Sequence, residues 1–484
     1  MIYSMRYAVT AMILLCVMLS LPGMAQEMPT SVNAAPNAQN IEVLSAQIGK
    51  KESELLRLNT HFRIECTRVS KWKRWRIFLY NLGASSCSEA GITSIAATRW
   101  HYWRNPKLMP RSTATAGPIC LLVGHCITLG GTLIEFGLDE INDHKVRAKG
   151  MDIKTTHKKA LELKGELDSL LAQREAAVEN AADLAPSERT TARAEGVVMR
   201  DVRDLELKEY GQFFVRANKF FAARDANTLA AITSASTGGF QGSLLGILSA
   251  HLRRPRLTGA GGLGFLESGA TIVATPWLGR FSGNIRGHFA QKRIASEFGD
   301  LSGSTVAKLE HDQSALQLAA AQTTSGGNLP NVSRRLTGYV REIDLFKGQN
   351  ELNGREKALA NKEFVERALT AACIGGTKMS WGINLAHAGF AYHPKTIKKV
   401  TVVKGKKTIT SMPDPGPSKQ FTKRVAIGAT TYIPGTSLWI LDTLQRPIRE
   451  EFRDRGLMAQ SKLPAALLKE RLDRVDEIDD SFNY

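Results

Sequence analysis

The sequence predicts an all-α fold: a helical membrane protein built from three internal repeats of a transmembrane hairpin, with long extracytoplasmic coiled-coil helical hairpins between them. Three observations predict it. Six apolar segments come in pairs, at 75–99 and 118–138, 229–252 and 258–282, and 368–392 and 424–443. The polar stretches between the pairs step their apolar residues by three and four. Basic residues gather in the short turn inside each pair. The expected organisation is a signal peptide at 1–25, repeat 1 at 26–180 with membrane hairpin 75–138, and repeat 2 at 181–325 with membrane hairpin 229–282. Repeat 3 covers 326–484, with membrane hairpin 368–443 and a basic loop at 393–424.

At the N-terminus, Arg6 precedes an apolar run from Ala8 to Leu21, and Pro22-Gly23-Met24-Ala25 supplies small residues before a cut after Ala25. That is the pattern of an export signal, and it points to a bacterial envelope protein. Cys16 leaves with the signal. The other five cysteines, Cys66, Cys87, Cys120, Cys126 and Cys373, have neither disulfide-framework nor zinc spacing, so they read as small packing residues.

Each apolar segment is near the ~20 residues a helix needs to cross a bilayer. Leu121 to Leu138 fits well; Leu79 to Thr98 is weak, because Ser85, Ser86, Ser88 and Glu89 interrupt it. Repetition carries the case. Pro106, Pro255 and Pro394 end the first segment of each pair. Before each lies a run of small residues four apart: Gly83, Cys87, Gly91; then Gly238, Gly242, Gly246, Ala250; then Ala372, Gly376, Ser380, Asn384, Ala388. That spacing puts them on one helix face and allows close packing in lipid.

The three turns hold most of the formal charge of +18. Short loops rich in Lys and Arg stay cytoplasmic, which sends the long helices outward, as the signal does. Arg104, Lys107, Arg253, Arg254, Arg256, Lys398, Lys399, Lys404, Lys406 and Lys407 are the expected contacts for anionic headgroups. Trp100, Tyr102, Trp103 and Tyr392 suit an interfacial belt. The basic run from Lys71 to Arg76 opposes this topology. In the third turn, Val400 to Thr410 alternates around Lys404-Gly405 and reads as a small β-hairpin.

In the polar stretches the seams are Ile41, Leu44, Ile48, Lys51, Leu55, Leu58, Phe62; Ala160, Leu163, Leu167, Leu170, Arg174, Ala177; Val306, Leu309, Gln313, Leu316, Ala320; and Leu336, Tyr339, Ile343, Phe346, Asn350, Asn353. Breaks at 180–190, with Ser187 as N-cap, and at 323–333 divide them. Two helical hairpins at 139–228 and 285–368 are expected, with the helices near 38–74 and 444–480 pairing as a third, giving three stalks.

Chemistry is sparse. Gly259-Ala-Gly261-Gly-Leu-Gly264 matches the dinucleotide fingerprint, but Arg253-Arg254-Pro255-Arg256 precedes it instead of a buried strand, and the acidic partner is missing. It reads as a glycine-rich entry into a packed helix. No zinc-protease, phosphate-loop or nucleophile-elbow motif is present. The expected chain is therefore not an enzyme, with no catalytic residue, cofactor or metal. His125 reads as a hydrogen-bonded packing histidine. Ionisable residues in the membrane segments are costly unless paired or wetted. Among them Glu89 and Lys378, with Gln241 at a comparable depth, suggest a polar centre between the hairpins; Glu135 and Asp442 read as interfacial. The leading expectation is an inner-membrane structural or interaction protein whose periplasmic helices bind a protein partner or self-associate. A channel or transporter around a pseudo-threefold polar centre is the alternative, and nucleic acid is not an expected partner.

Overall fold

The computed structural model describes residues 37–67, 71–182, 184–322, 329–392, 396–403, 406–413, 417–459 and 464–482. The signal at 1–25, most of the 323–333 break, Pro394 and Lys404 lie outside them. Helices α1 (Asn37–Thr67), α2 (Lys71–Tyr102), α3 (Arg111–Ala148) and α4 (Ile153–Asn180) come first. Next are α5 (Pro186–Thr233), a π-helical stretch Ser234–Phe240, α6 (Gln241–Leu252), α7 (Pro255–Phe298) and α8 (Val306–Ala321). Then come α9 (Val332–Phe390), a two-stranded antiparallel hairpin β1 (Thr396–Val403) and β2 (Lys406–Pro413), α10 (Lys419–Ala459) and α11 (Pro464–Phe482). The fold is all-α apart from that hairpin, whose register pairs Val403 with Lys406 around the turn that the alternation marked.

These helices pack as two closed six-membered rings. In the first, α1, α4, α5, α8, α9 and α11 touch in that cyclic order and α11 returns to α1. In the second, the order is α2, α3, α6, α7, α9 and α10, with α10 against α2. The second ring thus contains the six apolar segments in chain order. Breaks between the rings are made by local chemistry. Gly150 (φ +66°) ends α3 and Asp152 caps α4; Gly299 (φ +85°) ends α7 and Thr305 caps α8. Gly150 and Gly299 are 149 residues apart, as are Pro106 and Pro255. At the 180–190 break the cap is not Ser187. Pro186 occupies the first helical position, Ala185 is the N-cap, and Glu188 accepts from the Ala185 N–H at 2.9 Å.

The expected seams supply the first ring's core. Ile41, Ile48, Leu55, Phe62, Ala160, Leu167, Leu309, Leu316, Tyr339, Ile343 and Phe346 are all buried there. They do not make three separate stalks. Six short apolar stripes bury more area by closing on one common core than by pairing off.

Charged layers cross that core. Arg335 donates to Glu195 at 2.5 Å and to Glu42 at 2.6 Å, while Arg174 donates to Glu195 at 2.7 Å and to Ser45 at 2.7 Å. Further along, Arg471 donates to Glu209 at 2.6 Å and to Gln349 at 2.7 Å, and Arg63 lies 3.2 Å from Glu209. Between these layers α1, α5 and α9 each contribute one glutamate: Glu52, Glu206 and Glu342. All three are fully buried, and none of their six carboxylate oxygens has a hydrogen-bond partner. Burial, then mutual repulsion, pushes the Glu52 and Glu206 carboxyls far above the ordinary range. Burial pushes Glu342 up to about 8.

In the second ring, glycines set the helix spacing. Gly91 and Gly117 face each other's carbonyls across α2 and α3; an added Cβ would sit 2.7–2.8 Å from backbone oxygen. Gly262 and Gly382, and Gly269 and Gly375, do the same across α7 and α9. Helix α9 carries two such faces: Gly375, Gly382 and Gly389, seven apart, meet α7, while Asn384 and Ser380 of the expected set meet α10 at Gly428 and Thr431, and Gly376 meets nothing within 4 Å. The glycines of the dinucleotide-like motif lie inside α7, where Gly261 packs on Gly242 and Gly262 on Gly382.

The outside of this ring is apolar. Ile119, Val123, Leu133, Phe136 and Ile141 on α3, Leu263, Leu278 and Phe289 on α7, and Leu369, Ile383 and Phe390 on α9 are all exposed. From Ile119 to Ile141 the band is about 33 Å tall at 1.5 Å per residue, near the thickness of a hydrocarbon core. Among the described residues one helical stretch, Arg111–Asn180, is long and apolar enough to cross a membrane by length and composition. The basic run at 71–76 is neutralised at one edge of the band: Lys73 pairs with Asp139 at 2.5 Å, Arg74 with Asp454 at 2.7 Å and Arg76 with Glu135 at 2.6 Å. Tyr392, expected in an interfacial belt, is instead buried against Phe421.

Candidate functional site

All three helix pairs line a half-open cavity of about 1170 Å³ on the inner face of the second ring. Its walls are largely apolar, with Trp75 and Phe78 from α2, Ile272 from α7, Ile374 from α9 and Trp439 from α10. Charged residues stand toward the first ring and pair among themselves: Arg446 with Asp442 at 2.9 Å, Arg455 with Glu451 at 3.0 Å, and Arg74 with Asp454.

The floor is built from one element of each helix pair. α3 brings His125, the π-helical stretch brings Ser234 and Gly239, and α9 brings Lys378. Lys378 is 4 % exposed, and its Nζ lies 3.1 Å from His125 Nε2. His125 Nδ1 is 2.7 Å from the Leu121 carbonyl oxygen. A carbonyl only accepts, so Nδ1 carries the proton, and Nε2 of the neutral ring accepts from the ammonium. The imidazole lies on the bare backbone of Gly239, where any Cβ would fall within 1.9 Å of the ring. The π-turn makes that approach possible, and such turns recur at functional sites. Ser243 Oγ, 3.4 Å away, borders the ring as well. Phe265 closes the floor from below, its ring centroid 6.0 Å from Lys378 Nζ and 6.1 Å from that of Trp381.

Beneath this aromatic plug is a small void of about 40 Å³, where Arg99 appears beside Phe265 and Trp381. At the far end Arg104, Lys107, Lys419 and Arg424 line a second cavity of about 880 Å³ with Tyr392. Arg104, Lys107, Arg253, Arg254 and Arg256 are exposed at that end. Lys398 and Lys399 lie on β1, and Lys406 and Lys407 on β2.

The three residues of the expected polar centre take different surroundings. Lys378 forms the cavity floor. Glu89 turns to α10, where Ser437 donates to it at 3.2 Å and Thr436 also donates. Gln241 is exposed on the ring's outer side. Of the remaining ionisable residues, Glu267 is exposed and accepts from Thr237 at 2.9 Å. His125 was visible as a lone histidine in an apolar segment, but nothing in the spacing ties it to a lysine 253 positions away. Among the described residues no cluster of three or more His, Cys, Asp or Glu is arranged to hold a metal ion, and the five cysteines are free. No family model matches the chain, and neither a curated protein nor a solved structure matches it.

Proposed function

We propose that the chain is an integral membrane protein of the bacterial inner membrane that admits a solute into the centre of its second ring, as a channel or transporter. The observation that carries this is the half-open cavity lined by all three hairpins, with a buried Lys378–His125 floor over an aromatic plug. The ring's apolar outside supports its placement in lipid, where such a surface needs no partner protein. The exposed basic residues at the end away from the first ring support a cytoplasmic assignment for that end. The first ring would then be periplasmic, and the three hairpins would be repeats around a pseudo-threefold axis.

The interaction reading keeps one favourable observation. Residues 351–370 of α9 are largely exposed, with Leu359, Val365 and Leu369 outward. The coiled-coil seams are buried within the chain, so a partner would meet the outer faces of the helices. The test uses proteoliposomes of the full chain in stopped-flow light scattering, challenged with potassium salts of inorganic and of organic acids and with neutral sugars. Solute entry above that of empty liposomes, lost on Lys378→Ala, is expected. Entry of no solute at any rate above empty liposomes removes the transport reading.

A further inference from the structure

Resting on that reading, we infer that the cavity takes an amphipathic organic anion, with its acidic head on Lys378 and its apolar body along the walls. The charge argument comes first. An ammonium has three donors, and His125 Nε2 accepts one of them. His125 is neutral in this arrangement, and among the described residues no carboxylate pairs with Lys378. The nearby acids are engaged elsewhere: Glu89 with Ser437 and Thr436, and Asp442 with Arg446. A buried cation without a counter-charge is unfavourable by several kcal/mol. A bound anion removes that penalty, and a bound cation adds to it.

Shape and lining give the rest of the ligand. A volume of about 1170 Å³ is far larger than an inorganic anion needs and lies at the upper end for small-molecule sites. Trp75, Phe78, Ile272, Ile374 and Trp439 give the walls more apolar than polar surface, which suits a hydrocarbon body better than a sugar or a polyanion. The ion pairs nearer the first ring neutralise one another, so the head is selected at the floor. An acyl chain with an anionic head, either the carboxylate of a free fatty acid or the phosphate of a membrane lipid, has this chemistry.

The experiment uses the full chain in phosphatidylcholine nanodiscs. Quenching of its tryptophan fluorescence is titrated with 12-bromododecanoate, 12-bromododecanol and the trimethylammonium analogue, with empty nanodiscs subtracted. The carboxylate should bind about tenfold or more tighter than the alcohol, a difference of about 1.4 kcal/mol, and the ammonium weakest. Lys378→Met should erase that preference, and Lys378→Arg should keep it. Equal binding of carboxylate and alcohol by the native chain overturns the inference and needs no variant that might fail to fold. So does full carboxylate preference in a folded Lys378→Met chain. Adding phosphatidylglycerol separates the sources. Competition with the bromo-acid marks a lipid occupant, no competition marks a soluble one, and both uphold the ligand class. Binding with the predicted preference but without flux removes the transport reading alone; flux without the preference removes this inference alone.

Discussion

The glutamates at the centre of the first ring give a stability prediction whose sign runs against the common one for carboxylates. Glu52, Glu206 and Glu342 are unpaired and buried, and the carboxyl of Glu342 is pushed up to about 8 by burial. The folded ring therefore keeps protons that the unfolded chain releases near its ordinary value of 4.5. A raised carboxyl contributes stability that is present below the unfolded pKa and lost as pH rises through the folded one. Each such group lowers stability by about 1.4 kcal/mol per pH unit inside that window. Facing charges do not reverse this. Arg203 and Arg174 favour ionisation of Glu52, but Glu342 and Glu195 oppose it; Arg471 favours that of Glu206, but Glu52, Glu342 and Glu209 oppose it. Burial also pushes Glu195 and Glu209 up, but Arg335 and Arg174 beside the first, and Arg471 and Arg63 beside the second, hold them below the ordinary range. Their contribution is lost only in more acidic solution, outside the window.

Glu342→Gln keeps the shape of the neutral acid and removes its titration. It should stabilise the chain at pH 7 by about 3 kcal/mol and flatten the pH dependence. The assay is thermal unfolding of the detergent-solubilised chain by circular dichroism, from pH 5 to pH 8. The native melting temperature should fall across that range, with a shallower fall in the variant. A native melting temperature that is flat or rises from pH 5 to pH 8, or a variant less stable than native at pH 8, refutes the reasoning.

Four further outcomes follow from the packing. Glu195→Ala strands Arg174 in the core and leaves Arg335 with Glu42 alone and should cost about 3–5 kcal/mol, read in the same melts; a loss under about 1 kcal/mol would mean that water reaches the pair. Gly382→Leu drives a side chain into backbone atoms of Leu266 and Gly262 and should abolish the folded peak in size-exclusion chromatography, whereas Gly376→Ala, with open space around it, should elute as native. Cys126 and Cys373 are exposed on the apolar ring, so a water-soluble maleimide should label them in detergent-denatured chain and leave them unmodified in intact membranes; equal labelling in both would place the ring in water. Reporter fusions near 108, 256 and 405 should report cytoplasm and those near 185, 328 and 484 periplasm, and a reversed pattern would overturn the charge-based orientation.

Much of this architecture was legible in the residue pattern, and the exceptions share a cause. A two-helix seam places one narrow stripe inside, and on α1 that stripe runs Ile48, Lys51, Leu55. Lys51 in fact sits near the rim, its side chain 30 % exposed and paired with Glu54 and Glu166, while its neighbour Glu52 is fully buried. Helix α1 touches α4, α5 and α11, so its buried arc is wider than a pairwise seam allows. The extra arc is where the glutamates and arginines lie, residue types that a hydrophobic pattern assigns to solvent. The same logic adds to α9 a second small-residue face, seven-spaced, beside the four-spaced one that meets α10 at Asn384 and Ser380. Four-residue spacing suits a right-handed crossing of two isolated helices, but α7 and α9 run side by side, and their contacts, Gly262 with Gly382 and Gly269 with Gly375, recur every seven residues.

The floor of the cavity shows how far such reading reaches. Lys378 stands out because a cation in an apolar helix demands an explanation, and that demand is visible in one dimension. What answers it is not. His125 and Gly239 belong to other helix pairs, and only closure of the ring brings them to Lys378. Three different helical elements supply a proton acceptor, a bare backbone and a charge here. The cavity they line is therefore chemically asymmetric, although the ring around it is built from three helix pairs. An inorganic ion on the axis would gain from three like groups. One unpaired ammonium off to a side fits a ligand with a single charged end, and the apolar walls leave its other end only one kind of company.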